Sequence, residues 1–448
     1  MKRGTATKQI TEGVIWKQIL AFFFPILLGT FFQQMYNTVD TIIVGRFVST
    51  QALAAVGTTG PLVNIFNGFF TGLGSGATVI LAQFYGAGNK QGVRDTLHTG
   101  VTLSLLLGLL IMVLGIGLVP VALKWMHTPA DCLNMASLYV RVYFAGALAS
   151  MLYNMEAGLL RAMGDSQRPV ISLIVACLVN IVMDLVLVVG LKMGVAGAAL
   201  ATVISQVVSA VMLLVVLLRE KENPLELSRL GIQPKLLRRI LAIGVPAGLQ
   251  LVMSDLSNTL IQSGINSFGS TVMASWTAYT KTDALTWMVS GAFGVAITTF
   301  VGQNYGAHRY DRVRQSVRVC LAMSIGTVGV ISLLMTVFRR VILGVYTTDT
   351  SVIETGAYII SVIVPFAATF MPVEIFAGTM RGMGDSMRPT AIICLSVCMV
   401  RVLWIMTAVK KYHTLLMLCV CYPMTWVLCA IVFIVTYLRA FRPRLEEV

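Results

Sequence analysis

Asp40 and Asp184 are carboxylates set within long apolar runs, and each has a polar companion one helical turn away. Tyr36 and Asp40 are spaced i, i+4, as are Asn180 and Asp184, so each pair shares one helix face. Thr202 adds a hydroxyl from a third apolar run. Carboxylate, amide, hydroxyl and phenol oxygens are the groups that take up a proton or a hard cation such as Na⁺. An ionisable residue inside a lipid-spanning segment costs about 2.5–3.5 kcal/mol on insertion scales, which makes it a functional candidate by default. Asp40 falls near the outer end of its run. Asp184 lies roughly 22 Å along its helix from Pro169, at about 1.5 Å per residue. Thr202 is one or two turns from the loop at Lys192–Gly194, so all three fall at similar depth and can converge in one bundle.

The second half of the chain carries a different set. Asp255, Asn258 and Gln262 share one helix face, and Lys281 and Asp283 follow in the next run. Asp255 stands as far before Phe268 as Lys281 stands after it, so in an antiparallel pair the two are expected to form an ion pair. Glu374 and Arg401 are further charges in apolar surroundings and are expected partners. Structural pairing and a substrate-site role both remain open for this half.

The elements that position these groups are membrane spans. Over 448 residues, 57% are hydrophobic and 12% charged, against about 25% charged in a soluble domain. A single water-soluble core stops growing near roughly 250–300 residues, so lipid is the solvent that fits. Spans of about 20 apolar residues are expected near 16–43, 54–80, 95–120, 135–159, 169–190, 195–218, 237–263, 273–300, 315–338, 356–379, 389–409 and 414–438. The first run is too long for a cleavable signal. The net charge of +14 is spread in short tracts between the runs, so no nucleic acid is expected as a partner. Basic residues gather in alternate loops and in both tails, among them Lys2, Arg3, Lys8, Arg229, Arg239, Arg309 and Arg442, which places both termini in the cytoplasm. The longest polar stretch, 219–236, holds Pro224, Gly231 and Pro234 and reads as a linker.

Other chemistry is excluded. Of the eight cysteines only Cys132 falls in an expected loop, so no disulfide framework is expected. Neither the cysteines nor the four dispersed histidines have zinc-ligand spacing, and no structural metal or cofactor is expected. Gly68, Gly72 and Gly76 share a helix face, as small residues do where helices pack closely. No Walker pattern follows them, so no ATP is expected. An intramembrane enzyme lacks a nucleophile and base.

The chain contains itself twice. Gly158-Leu-Leu-Arg-Ala-Met-Gly-Asp-Ser-Gln-Arg-Pro169 recurs as Gly378-Thr-Met-Arg-Gly-Met-Gly-Asp-Ser-Met-Arg-Pro389, and Gln83-Phe-Tyr-Gly-Ala87 recurs as Gln303-Asn-Tyr-Gly-Ala307 at the same offset. The repeated Asp165 and Asp385 can cap the helix entered through Pro169 and Pro389. Six spans per copy is an even number, so the copies share one membrane orientation. The expected fold is an all-α integral membrane protein with twelve transmembrane helices. They form two six-helix bundles, at 1–218 and 237–448, related by a pseudo-two-fold axis along the membrane normal. A cytoplasmic linker at 219–236 joins them. The counterparts of Asp40, Asn180 and Asp184 in the second copy are Ile261, Val400 and Trp404. A fold-wide need would appear in both copies. The acids appear in one, which favours a function over the competing reading of a buried hydrogen-bond network.

The repeated Arg-x-Met-Gly-Asp-Ser-x-Arg-Pro, the Gln-x-Tyr-Gly-Ala loop, Val39-Asp-Thr-Ile-Ile-Val-Gly45 and Gly194-Val-Ala-Gly-Ala-Ala-Leu-Ala-Thr202 together resemble the MATE (multidrug and toxic compound extrusion) transporters over nearly the whole chain. The resemblance implies a secondary active exporter with cation (H⁺ or Na⁺) coupled antiport by alternating access. Its expected substrate is a small organic compound, cationic or amphipathic, and its expected partners are membrane lipids. It is expected in the cell membrane and to function as a monomer. Members with an aspartate cluster in the first lobe couple ions there, and the matching residues here are Asp40, Asn180, Asp184 and Thr202. Other members carry an acidic site in the second lobe. A flippase for a lipid-linked saccharide precursor, from the same superfamily, is the alternative. Leu415-Leu-Met-Leu-Cys-Val-Cys-Tyr-Pro423 stands where the second copy should repeat the Gly194–Thr202 segment, so the last helix is expected to pack unlike its counterpart.

Overall fold

The computed structural model describes residues 10–125 and 130–446, so the basic tail residues Lys2, Arg3 and Lys8 lie outside the described residues. Among the described residues every regular element is helical. Twelve helical elements match the twelve expected spans. They are α1 (Ile15–Phe47), α2 (Thr50–Gly86), α3 (Lys90–Trp125), α4 (Ala130–Ala145 with Ala147–Ala162), α5 (Gln167–Gly190) and α6 (Gly194–Leu218), followed by α7 (Pro234–Asn266), α8 (Ser270–Gly306), α9 (Tyr310–Val337), α10 (Thr350–Gly382), α11 (Met387–Tyr412) and α12 (Leu415–Phe441). Eleven are continuous runs long and apolar enough to cross a membrane, and α4 makes the twelfth when its two segments, bent by 46°, count as one. The chain is an all-α, multi-pass membrane protein.

Local chemistry explains the breaks. The bend in α4 falls at Gly146, where a Cβ would come within 2.7 Å of a Val203 methyl, so α6 approaches the bend too closely for a side chain. In α10 the helix tightens to 3₁₀ over Val364–Phe370, beside Pro365 and Pro372, which supply no amide hydrogen to an i→i−4 bond. Helix α5 widens to π geometry over Leu185–Gly190, directly after Asp184, a distortion that recurs at functional sites.

The repeated motif builds the same turn twice. Gly164 and Gly384 take φ of 94° and 95°, a left-handed region that only glycine enters at no steric cost. Asp165 Oδ1 then accepts from the amides of Gln167 and Arg168, both at 3.1 Å, and Asp385 Oδ1 from the amide of Arg388 at 3.2 Å. Each aspartate also pairs with the arginine three residues on, at 3.1 Å and 3.2 Å. The capping role expected of these residues is met in both copies, from one position outside Ser166 and Ser386.

One expectation changes. Cys132 does not lie in a loop; it is buried inside α4. The 219–236 stretch makes specific contacts with the first unit's helices. His98 Nε2 accepts from the Glu226 amide at 3.0 Å, Thr99 Oγ1 accepts from the Gln233 amide at 3.3 Å, and Arg168 pairs with Glu220 at 2.9 Å.

Contacts divide the chain into two compact units, Pro25–Gly248 in the first, and Ile10–Phe24 with Leu249–Val448 in the second. The boundaries fall inside α1 and α7, near Pro25 and Pro246. In the first unit, the opening half of α7 lies against α2 with no room for side chains. A Cβ on Gly72 would meet Gly248 backbone at 2.2 Å, and one on Gly76 would meet the Ile240 carbonyl at 2.3 Å. The close packing expected of this glycine face is present at these two positions. In the second unit, the opening half of α1 packs on α8, with Phe23 stacked on Phe293 at 4.2 Å between ring centres. The segment before α1 is held there too, since the Ile10 amide donates to Gln303 Oε1 at 3.1 Å and Arg312 Nη1 donates to the Gly13 carbonyl at 3.0 Å.

Candidate functional site

In the first unit, α1, α2, α4, α5 and α6 enclose a cavity of about 240 Å³. Tyr36 and Asp40 reach it from α1, Asn67 from α2, Tyr139 and Tyr143 from α4, and Gln206 from α6. Asp40 is 6% exposed and forms part of the wall. Asp184, Asn180 and Thr202 are at most 2% exposed and lie behind that wall. Tyr36 has Thr202, Asp40 and Asp184 as neighbours, and Asp40 is likewise a neighbour of Asp184. Tyr36, Asp40, Asp184 and Thr202 are thus brought together from α1, α5 and α6, with Asn180 one turn before Asp184 on α5.

What surrounds them is short of donors. Asp40 Oδ1, both carboxylate oxygens of Asp184 and both polar atoms of Asn180 are buried with no hydrogen-bond partner among the described residues. Buried polar groups are nearly always bonded, and exceptions call for an explanation such as an ion or a functional proton. A proton on a carboxyl, or a cation held by these oxygens, would satisfy this set. Sequence reasoning missed the neutral part of the site. Tyr139 stacks on Tyr143, and Asn67 Nδ2 donates to the Tyr143 hydroxyl at 3.0 Å. The only available signal was the i, i+4 spacing of the two tyrosines. It also missed Glu156 in α4, which is fully buried with neither carboxylate oxygen partnered.

In the second unit a larger cavity, about 510 Å³, is walled by α7, α8, α10, α11 and α12. Asn258 and Asp283 face it; Lys281 is solvent- or lipid-exposed and Asp255 is half-buried. The expected Asp255–Lys281 ion pair is not among the ion pairs of the described residues, and neither is Glu374–Arg401. Arg401 instead donates from Nη1 to Asn258 Oδ1 at 3.3 Å and from Nε to Thr425 at 3.2 Å. Glu374 has Arg381 as its charged neighbour. The apolar counterparts of the first unit's acids stand where the repeat puts them. Ile261 lines the cavity, and the Trp404 indole donates to the Met417 carbonyl at 2.8 Å. Helix α12 also differs from α6 as expected, with Pro423 inside it and a buried Trp426 at the position where the repeat puts Gln206 of α6.

The family model MatE matches the chain twice, over residues 25–186 and 246–407, more than half its length and in register with the internal repeat. The chain belongs to the MatE family. Among its MatE relatives is "Probable multidrug resistance protein YoeA" of Bacillus subtilis (strain 168), 28% identical over 86% of this chain and 85% of that protein. Another is the "FAD transporter" of Shewanella oneidensis, 23% identical over 78% of each. Solved structures agree in shape over the whole chain. A MOP superfamily transporter from Pyrococcus furiosus superposes with a TM-score of 0.91 at 21% identity, covering 100% of both chains. An outward-facing multidrug resistance MATE family transporter superposes with a TM-score of 0.91 at 22% identity, again over 100% of both chains. These likenesses establish the fold, and the relatives are transporters rather than enzymes.

Proposed function

We propose that this protein is a secondary active exporter of small organic compounds that exchanges its substrate for an inward-moving cation, H⁺ or Na⁺, by alternating access. The observation that carries the reading is the convergence of Asp40 and Asp184 with unpartnered buried oxygens beside a polar cavity, in one copy of the repeat and not the other. Family membership supports export of drugs or metabolites, and the names of the relatives favour it over lipid-linked saccharide flipping. Coupling needs a cation that binds one conformation more tightly than the other, since equal affinity shifts nothing. In this scheme Asp40, at the wall, receives the cation. Asp184 shares the charge from behind, and Tyr36, Asn180 and Thr202 supply neutral oxygens. Asp255, Asn258, Lys281 and Asp283 are the second-unit candidates, to which the coupling role passes if Asp40 and Asp184 lack it.

The proposed setting is the cytoplasmic membrane with both termini on the cytoplasmic side, and the proposed working unit is the monomer. Substrates are small amphipathic or cationic organics that enter from the cytoplasm or the lipid. The test is efflux from proteoliposomes under independently imposed pH and sodium gradients. Efflux driven by one of the two gradients, and abolished when that gradient is collapsed, is expected. Efflux indifferent to both would refute the antiport mechanism.

A further inference from the structure

The cavity of the second unit holds a buried guanidinium that has no direct ion pair among the described residues. Arg401 sits in α11 with 6% exposure, and its two hydrogen bonds go to the neutral groups of Asn258 and Thr425. A guanidinium has five N–H donors in a planar fork, so most of its donor capacity is unspent by those bonds. It also lies over the face of Tyr422, 4.3 Å from the ring centre, a cation–π arrangement that holds the plane in place. A buried cation is costly unless paired. The acids that share the cavity are otherwise engaged. Asp283 Oδ2 accepts from Trp287 Nε1 at 2.8 Å and from the Tyr279 hydroxyl at 3.2 Å, and Glu374 has Arg381.

The rest of the wall is aromatic. Trp276 and Tyr422 lie 5.7 Å apart, Trp287 and Phe370 5.0 Å, and Tyr422 and Trp426 5.8 Å between ring centres. Asp283 fixes the orientation of Trp287 through the indole bond. Flat apolar faces around one planar cation match a flat ring that bears a carboxylate. The ring would lie against the aromatic wall, and the two carboxylate oxygens would meet the guanidinium edge in the bidentate manner that arginine favours.

We propose that this cavity is a binding site for aromatic carboxylates, anchored by Arg401 and separate from the acid cluster of the first unit. It does not depend on the coupling role of Asp40. Calorimetric titration of the full-length protein in detergent tests it, with naphthoate, naphthylmethylamine and naphthylmethanol as probes of one shape and three charges. Naphthoate is expected to bind more tightly than the other two. Arg401→Gln is expected to weaken naphthoate at least about tenfold, the equivalent of 1.4 kcal/mol, while Arg340→Gln, at an exposed arginine of the same unit outside the cavity, leaves it unchanged. Naphthoate binding that survives Arg401→Gln, or that is lost equally in Arg340→Gln, overturns the assignment. Where Arg401→Gln does not insert, the wild type decides alone: an amine or alcohol bound as tightly as the carboxylate, or no naphthoate binding, overturns it equally.

Discussion

A carboxylate in a cavity wall and a second one sealed behind it exchange with different surroundings. Asp40 lines the cavity and can meet solvent that enters it, whereas Asp184 is buried away from the lining. Replacing either by asparagine conserves shape and removes a buried charge, so Asp40→Asn and Asp184→Asn are expected to insert and fold normally. A cation that no longer distinguishes the two conformations shifts nothing, so gradient-driven efflux should collapse to its level without a gradient in each variant while equilibrium substrate binding persists. Transport by purified variants in proteoliposomes, with insertion checked by size-exclusion profile, measures it. Unchanged ion dependence in both would remove the coupling assignment. The acids were legible in the sequence because a charge in an apolar run is conspicuous and i, i+4 spacing fixes a helix face. Tyr139, Tyr143 and Asn67 were not, because neutral polar groups cost less in lipid and leave no comparable mark. The partners of Arg401 and Glu374 were misread for another reason. Matching depth along two helices says nothing about rotation about each axis, and rotation decides which side chains meet.

Among the helices, the contact between α2 and the first half of α7 is backbone against backbone. Gly72→Ala would place a methyl group 2.2 Å from Gly248 backbone, where nothing flexible can yield. Overpacking of this sort costs about 1–3 kcal/mol, and a lowered melting temperature in detergent is expected. Gly117→Ala in α3 is the control, since a Cβ there meets nothing within 4 Å; it should hold or gain about 0.4–1 kcal/mol. The repeated turns give a paired test. Asp165→Ala and Asp385→Ala each remove a helix cap, and each should cost about 0.5–2 kcal/mol, by similar amounts because the two turns are built alike. A loss confined to one copy in thermal denaturation would mean that the shared motif has diverged in role. All twelve spans were legible from hydropathy, and the turn from its repetition. The 46° bend in α4 and the π stretch after Asp184 were not, because they answer to neighbouring helices that a single segment does not encode.

At the scale of the whole chain, the division into units does not follow the order of the sequence. The half-helix Ile10–Phe24 is counted with residues 249–448, and the first half of α7 with residues 25–248. Chains cut within 219–236 would each lack a half-helix that the other supplies. Co-expressed fragments ending and starting in that stretch are therefore expected to copurify, and either alone to be degraded or aggregated, as affinity pulldown of a tag on one fragment would report. Independent stability of both fragments would contradict the exchange. The same crossing sets a timetable for synthesis. The first unit has no seat filled opposite Gly72 and Gly76 until the ribosome has delivered Gly248. Phe23 has no Phe293 to stack on until a further 270 residues (293 − 23) have been made. The half-helix Ile10–Phe24 is translated ahead of residues 25–248 and must wait unpaired while they are made.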